Sequence, residues 1–177
     1  NNGTVIIDDD LIGTGEFING ATGDLSLTTS GVITISTVTL NTVGNIVRYI
    51  GGTNENMIAG PYYDLFINLD DATIIAQLNG NDVTVNNDLT IEQGRARVQS
   101  ANTLTVSGNI LMNDGEFESN DSQGVMDISG NFTMAGGTLD FNDGDLNIGG
   151  DLILSGGTMN FNEGTTPVNP STIDATD

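Results

Sequence analysis

The chain has 177 residues, of which 37% are apolar, and this is enough to bury the core of one ordinary domain. Three arginines stand against 24 acidic residues, and the net charge of -21 argues against a nucleic-acid partner because phosphate binding requires a basic surface. The sequence contains no cysteine and no histidine, which excludes a disulfide framework and the usual general base near neutral pH.

Residues 1–40 alternate apolar and polar side chains with the period of a β-strand. Residues 5–11 have the same apolar spacing as residues 83–89, which predicts that the two stretches occupy equivalent strands of a repeat. Since Leu25 follows Leu11 by much less than a full repeat, this alignment predicts that one early turn is shortened or has lost a strand.

Residues 41–82 keep the alternation with looser spacing, and turns rich in glycine and asparagine interrupt it. No helical period or linker composition intervenes, so we predict divergent turns of the same repeat rather than a second domain. Pro61-Tyr62-Tyr63 in this region is either a corner that packs against the core or an exposed aromatic platform for a sugar.

Residues 83–161 contain one pattern of about twenty residues written four times. The four copies begin at Val83, Leu104, Met126 and Leu146, so their spacing is nearly constant. Repeats of this length with strand periodicity predict a right-handed parallel β-helix, a β-solenoid in which successive copies stack as turns. At about 4.8 Å per turn, roughly eight turns give a length on the order of 35–40 Å.

Stacking places equivalent positions of the copies in columns along the solenoid. One predicted inward column is wholly apolar: Leu89, Ile110, Phe132, Leu152. Glycines recur at a corner where the turn is expected to need a positive φ: Gly94, Gly115, Gly137, Gly157. A polar column has no two aspartates on adjacent turns: Asp88, Asn109, Asn131, Asp151. It is either a ladder that hydrogen-bonds from turn to turn or a column that binds a ligand.

Ice binding by a solenoid needs a flat, regular array of threonines on one face. The two outward columns read Thr84, Thr105, Asp127, Asn147 and Thr90, Leu111, Thr133, Ile153. Neither is a sustained threonine array, which argues against ice binding. Leu111 and Ile153 indicate instead that their face packs against another part of a longer chain or a partner, the alternative being scattered exposed aliphatics.

Arg95 and Arg97 are the natural candidates for binding an acidic sugar. The repeat register, however, places Glu116 beside Arg95 and Glu118 beside Arg97 on the next turn. We therefore predict two ion pairs between turns, each contributing about 0.2–1 kcal/mol when exposed.

The chain offers little catalytic or metal chemistry. Asp8-Asp9-Asp10 is either a solvated turn or a calcium site, and Asn142-Asp143-Gly144-Asp145 is ambiguous in the same way. The second stretch lacks the full spacing of an EF-hand loop and the pattern of a calcium-binding nonapeptide. Paired carboxylates would suit glycoside hydrolysis, but we predict no enzyme, no cofactor other than possible calcium, and no catalytic, cofactor-binding or metal-ligating residue.

Gly44–Ile50 and Asn56–Ile67 resemble a module of the large repetitive surface adhesins of gliding and biofilm-forming Gram-negative bacteria, which are type IX secretion substrates. The resemblance covers most of residues 44–161, and filamentous-haemagglutinin-type β-helices share parts of the pattern. It implies a fibre segment that is secreted or lies at the cell surface, and it carries over no active-site residue.

We therefore expect one β-solenoid over residues 1–164, regular in 1–40 and 83–164, with a linker or the start of another module at 165–177. The expected function is a structural or adhesive stalk module, with extracellular surfaces, glycans or other chain segments as partners. The alternative is a carbohydrate-active β-helix enzyme or a carbohydrate-binding module. No apolar run approaches the roughly 18 residues of a membrane-spanning helix, and no signal peptide is visible, which is expected of a mature segment or a fragment.

Overall fold

The computed structural model describes residues 1–28, 33–78, 80–99, 101–119, 124–141, 145–161 and 172–175. These residues form a parallel β-solenoid of about 21 residues per turn and contain no helix, which confirms the predicted fold class. The coil has about seven turns, one fewer than predicted. The ordinary chirality of parallel connections favours a right-handed coil.

The described strands are short, and each turn of the regular region contributes three. In chain order they are β1 (Thr4–Ile7), β2 (Leu11–Ile12), β3 (Glu16–Ile18), β4 (Asp24–Leu27), β5 (Ile33–Thr34), β6 (Thr37–Thr39), β7 (Ile46–Gly51), β8 (Glu55–Asn56), β9 (Gly60–Tyr62), β10 (Asp64–Leu69), β11 (Ile75–Leu78), β12 (Val83–Val85), β13 (Leu89–Gln93), β14 (Arg95–Val98), β15 (Thr103–Val106), β16 (Ile110–Met112), β17 (Glu116–Ser119), β18 (Val125–Ile128), β19 (Phe132–Met134), β20 (Thr138–Phe141), β21 (Asp145–Ile148), β22 (Asp151–Leu154), β23 (Thr158–Phe161) and β24 (Thr172–Ala175).

Three parallel sheets run along the solenoid. Sheet 1 has nine strands in the order β1-β4-β7-β10-β13-β16-β19-β22-β24. Sheet 2 has the order β8-β11-β14-β17-β20-β23, and sheet 3 has the order β9-β12-β15-β18-β21. In the first two turns, two separate pairs, β2 with β5 and β3 with β6, accompany sheet 1.

The predicted inward column is confirmed: Leu89 pairs with Ile110, Ile110 with Phe132 and Phe132 with Leu152. All four side chains are buried. The Phe132 ring also stacks on the Phe117 ring of sheet 2, with centroids 6.2 Å apart, so aromatic packing joins two sides of the coil. No turn could bury these side chains alone, and neighbouring turns cover them on both sides.

The predicted alignment of the first turn is wrong by one strand. Val5 pairs with Leu25 in sheet 1, and the same column continues to Leu65 and Leu89, whereas Val83 lies in sheet 3. The first turn therefore runs from Val5 to Leu25, has close to the average length and is not shortened. All three sides of the coil use the same alternating pattern, so spacing alone does not say which side a strand occupies.

The divergent residues 41–82 contain the unequal turns. In the sheet 1 column, the turn from Val47 to Leu65 is shorter than average, and the turn from Leu65 to Leu89 is longer than average. A register shift between Ile67 and Asn68 accompanies the longer turn. A short turn followed by a long one restores the average period, and the inward column continues through both.

The predicted corner glycines are confirmed. Gly94, Gly115, Gly137 and Gly157 have φ values of +85°, +81°, +78° and +88°. A Cβ atom on Gly115 would lie 2.5 Å from the Gly94 carbonyl oxygen of the preceding turn. The corner therefore needs glycine for its backbone conformation and for the close approach of successive turns.

Some predicted features lie outside the described residues, namely Gly31, Val32, residues 142–144 and most of the proposed linker. Within residues 165–177, strand β24 pairs with β22 at the end of sheet 1.

Candidate functional site

Sheet 1 contains more strands than sheet 2 or sheet 3, and its outward side carries one of the predicted outward columns. In the predicted outward column, Thr90 pairs with Leu111, Leu111 with Thr133, and Thr133 with Ile153. Phe66 precedes Thr90 in this column, and the Arg48 guanidinium lies over the Phe66 ring at 4.7 Å from its centroid. Arg48 Nε also donates to both carboxylate oxygens of Asp24, at 2.9 and 3.0 Å.

The polar column beside it forms a ladder from turn to turn, as predicted, and its main donors are backbone N–H groups. The side-chain oxygens of Asp88, Asn109 and Asn131 each accept the backbone N–H of the next turn, at 2.7, 3.0 and 2.8 Å. The Asn109 amide also donates to Asp88, at 3.2 Å. The ladder extends back to Asp64, which accepts the Asp88 N–H at 3.2 Å. Asp64 and Asp88 thus place two aspartates on adjacent turns of the longer column, although the predicted part from Asp88 to Asp151 has none.

The predicted ion pairs on sheet 2 are confirmed. Arg95 pairs in register with Glu116, and Arg97 with Glu118. Arg97 Nε donates to Glu118 Oε1. Arg95 Nε lies 2.7 Å from Glu116 Oε2 in an ionic contact, although its N–H does not make a hydrogen bond to that oxygen. Both arginines are therefore matched by carboxylates of the adjacent turn.

The same cluster contains more acid than base. Asp140 follows Glu118 in register, and its Oδ1 is buried without a hydrogen-bond partner among the described residues. Burial raises the pKa of Glu116, and the Glu118 carboxylate raises it further, against the opposing effect of Arg95. The cluster as a whole offers no basic patch for an acidic ligand.

The acidic run Asp8-Asp9-Asp10 follows strand β1 of sheet 1. The alignment with residues 83–89 had placed it at the same corner as residues 86–88, and this placement is wrong. Thr28 Oγ1 donates to Asp8 Oδ1 at 2.5 Å, and the Asp10 N–H donates to Asp9 Oδ1 at 2.9 Å. Across the described ranges, no three acidic side chains are grouped so that they could hold a metal ion.

Tyr62 of the Pro61-Tyr62-Tyr63 stretch is fully buried, which decides against a sugar platform at Tyr62, whereas Pro61 is exposed and Tyr63 is partly exposed. Tyr62 donates to the Ile58 carbonyl at 2.6 Å, and Tyr49 accepts the Ile58 N–H at 2.8 Å. The two hydroxyl oxygens are 2.9 Å apart, and because the Tyr62 hydrogen is donated to Ile58, the Tyr49 hydroxyl is the donor to Tyr62. Burial is the largest cause that raises both pKa values, that of Tyr49 to about 12.

A buried carboxylate was missed by sequence reasoning. Glu55 is 4% exposed and pairs with Ala76 in an inward column of sheet 2 that continues to Ala96 and Phe117. Thr53 Oγ1 donates to Glu55 Oε1 at 2.9 Å. Burial raises the pKa of Glu55, against the effect of the Thr53 bond. In the sequence, Glu55 could have been found only as an acidic residue at an inward position of the alternating pattern, and this pattern is irregular in residues 41–82.

No known protein family, curated protein or solved structure matches this chain. The identification therefore ends at the fold, a parallel β-solenoid. In the part of the chain that the structure describes, no helix is long and apolar enough to cross a membrane.

Proposed function

We propose that the chain is a structural and adhesive module of a large secreted or cell-surface protein, acting as a rigid stalk or surface-binding fibre segment. The observation that carries this proposal is sheet 1, whose nine strands form one uninterrupted parallel ladder along the solenoid. Each turn is hydrogen-bonded and packed to the next, so the coil transmits a load along its axis without a hinge.

Two further observations support a stalk. The arginines of sheet 2 are paired with carboxylates, and the buried hydroxyls of Tyr49 and Tyr62 are hydrogen-bonded within the coil, so these polar groups serve its stiffness. The stretches Gly44–Ile50 and Asn56–Ile67 resemble modules of repetitive surface adhesins, which is the basis for proposing a cell-surface fibre exported by type IX secretion in a gliding or biofilm-forming bacterium.

Limited proteolysis tests the rigid-ladder mechanism. Trypsin has only three cleavage positions here, since the chain has no lysine and its arginines are Arg48, Arg95 and Arg97. All three lie within strands β7 and β14, so cleavage requires local opening of the ladder. The native chain should survive trypsin under conditions where the denatured chain is cut at all three positions.

A matched control is Asp114→Arg, which adds a trypsin site at an exposed corner without touching a strand. This variant should be cut after residue 114 while its other arginines stay intact. Rapid cleavage of the native wild type at Arg95 or Arg97 would contradict a rigid stalk.

The competing proposal, a carbohydrate-active enzyme, is tested by a turnover screen on neutral and acidic polysaccharides. Reproducible cleavage that one carboxylate substitution abolishes would replace the stalk proposal.

A further inference from the structure

From Phe66 to Ile153, the outward side of sheet 1 carries a column with a bulky apolar side chain on every second turn. Phe66, Leu111 and Ile153 are bulky, and Thr90 and Thr133 occupy the turns between them. Leu111 is 39% exposed, and the other four are partly exposed. At about 4.8 Å per turn, the bulky side chains repeat about every 9.6 Å along the axis.

Fixed polar groups accompany this column. Asp64 in β10 and Asp151 in β22 lie two residues before Phe66 and Ile153, so they point to the same side of sheet 1. Backbone-to-side-chain hydrogen bonds join Asp88, Asn109 and Asn131 to them in one column. Hydrogen bonds to the next turn hold these three side chains in position. An apolar platform with a few fixed polar groups is how proteins orient ligands that have both apolar and hydroxyl-bearing surfaces.

The charge of the face selects among occupants. Asp64, Asp88 and Asp151 make its polar column acidic in a chain of net charge -21, so polyanions and anionic lipid surfaces are repelled. A second copy would bring the same acidic column against itself and is repelled for the same reason. A cationic partner would be held by charge and released in high salt. A neutral polymer is not repelled, and it has ring faces for the platform and hydroxyls for the polar column.

We propose that a neutral, extended β-1,4-linked glycan binds along sheet 1, parallel to the solenoid axis, with sugar rings on Leu111 and Ile153. In such a glycan every second sugar presents the same face to the same side, which fits bulky side chains on every second turn. The Arg48–Phe66 pair closes the platform at its N-terminal end. This proposal rests on the adhesive function proposed above and assigns it a surface and a ligand class.

The test is retention of the purified chain on insoluble cellulose, with soluble cellohexaose as competitor. Wild type should be retained in about 1 M salt as well as in dilute buffer, because binding to a neutral glycan does not depend on screened charges. Leu111→Ser combined with Ile153→Ser should weaken binding about tenfold or more, as expected for losing well-packed contact side chains.

Val125→Ser is the matched control, because Val125 is a partly exposed aliphatic residue on sheet 3 and lies away from the platform. It should bind like wild type. No retention of wild type, equal retention of the double variant, or retention that disappears in high salt would overturn the proposal. Self-association blocked by the double variant would overturn it in favour of a second copy.

A second variant covers the case in which the double variant folds poorly. Thr133→Tyr adds an aromatic ring between Leu111 and Ile153 at a partly exposed position and should tighten binding several-fold. Unchanged or weaker binding by a folded Thr133→Tyr chain would count against the platform. A negative result on cellulose would not change the expected resistance to trypsin. The glycan-binding site can therefore be refuted while the proposed stalk function is retained.

Discussion

The regular turns of residues 83–161 and the divergent turns of residues 41–82 close the same coil in different ways. In the regular turns, apolar side chains such as Phe117 and Leu139 fill the inward columns. In the short turn that precedes Leu65, the hydroxyls of Tyr49 and Tyr62 meet inside the coil and bond Ile58, whose N–H and C=O they satisfy.

The difference shows that a solenoid needs continuous columns more than equal turns. Tyrosine supplies apolar area together with a hydroxyl that reaches backbone groups, so a shorter turn remains satisfied. The cost is that polar groups, including Glu55, are buried where the regular turns bury mainly hydrocarbon.

Removal of hydrocarbon from the regular region should have the largest effect. Phe132→Ala deletes a fully buried ring that stacks on Phe117 and should lower the free energy of unfolding by about 3–5 kcal/mol. Chemical denaturation measures the loss. Thr133→Ala, at the neighbouring outward position, should change the free energy of unfolding little. Equal losses in the two variants would show that the Phe132 column is not the core.

Loss of one hydroxyl in the divergent region should have the next largest effect. Tyr62→Phe leaves the Ile58 carbonyl and the Tyr49 hydroxyl without their partners, at about 1–3 kcal/mol for each buried group. Tyr63→Phe is the control, because Tyr63 is not fully buried. A Tyr62→Phe chain as stable as the control would mean that the hydroxyl network does not hold the short turn together.

Charge swaps on sheet 2 should give a smaller effect and test the register. Single reversals at Arg95, Arg97, Glu116 or Glu118 should each lower the melting temperature, since each pair contributes about 0.2–1 kcal/mol. Reversing all four together should largely restore it, because opposite charges then face each other again in both pairs. No recovery in the combined swap would contradict the pairing.

The pH dependence of stability that Glu55 causes should be the smallest of these effects. The pKa of Glu55 in the folded state is raised above the usual value of 4.5. Its contribution to the free energy of unfolding is therefore complete below pH 4.5 and is lost as the pH rises through the folded-state pKa. The difference in unfolding free energy between wild type and Glu55→Gln should therefore decrease as the pH rises from 4.5 through the folded-state pKa. Glu16→Gln, at an exposed position, is the control, and a flat difference for Glu55→Gln would refute its buried role.

Much of the regular region could be predicted from the sequence. The period and alternation set the pairing of Leu89, Ile110 and Phe132, and the same register placed Glu116 beside Arg95. The corner glycines were predictable because few other residues accept a positive φ between closely stacked turns. The sequence pattern sufficed here because each interaction is between equivalent positions of adjacent copies.

By itself, then, the sequence determined the solenoid, its period and its columns, since a two-residue alternation repeated about every twenty residues has few other ways to bury its apolar side chains. Tertiary structure alone decided which side of the coil Val5 occupies, because all three sides carry the same alternation. It also decided that Tyr49 reaches Tyr62, that Glu55 points inward and that Asp64 extends the ladder. These contacts join positions that are not equivalent between copies, and a repeat pattern contains no information about them.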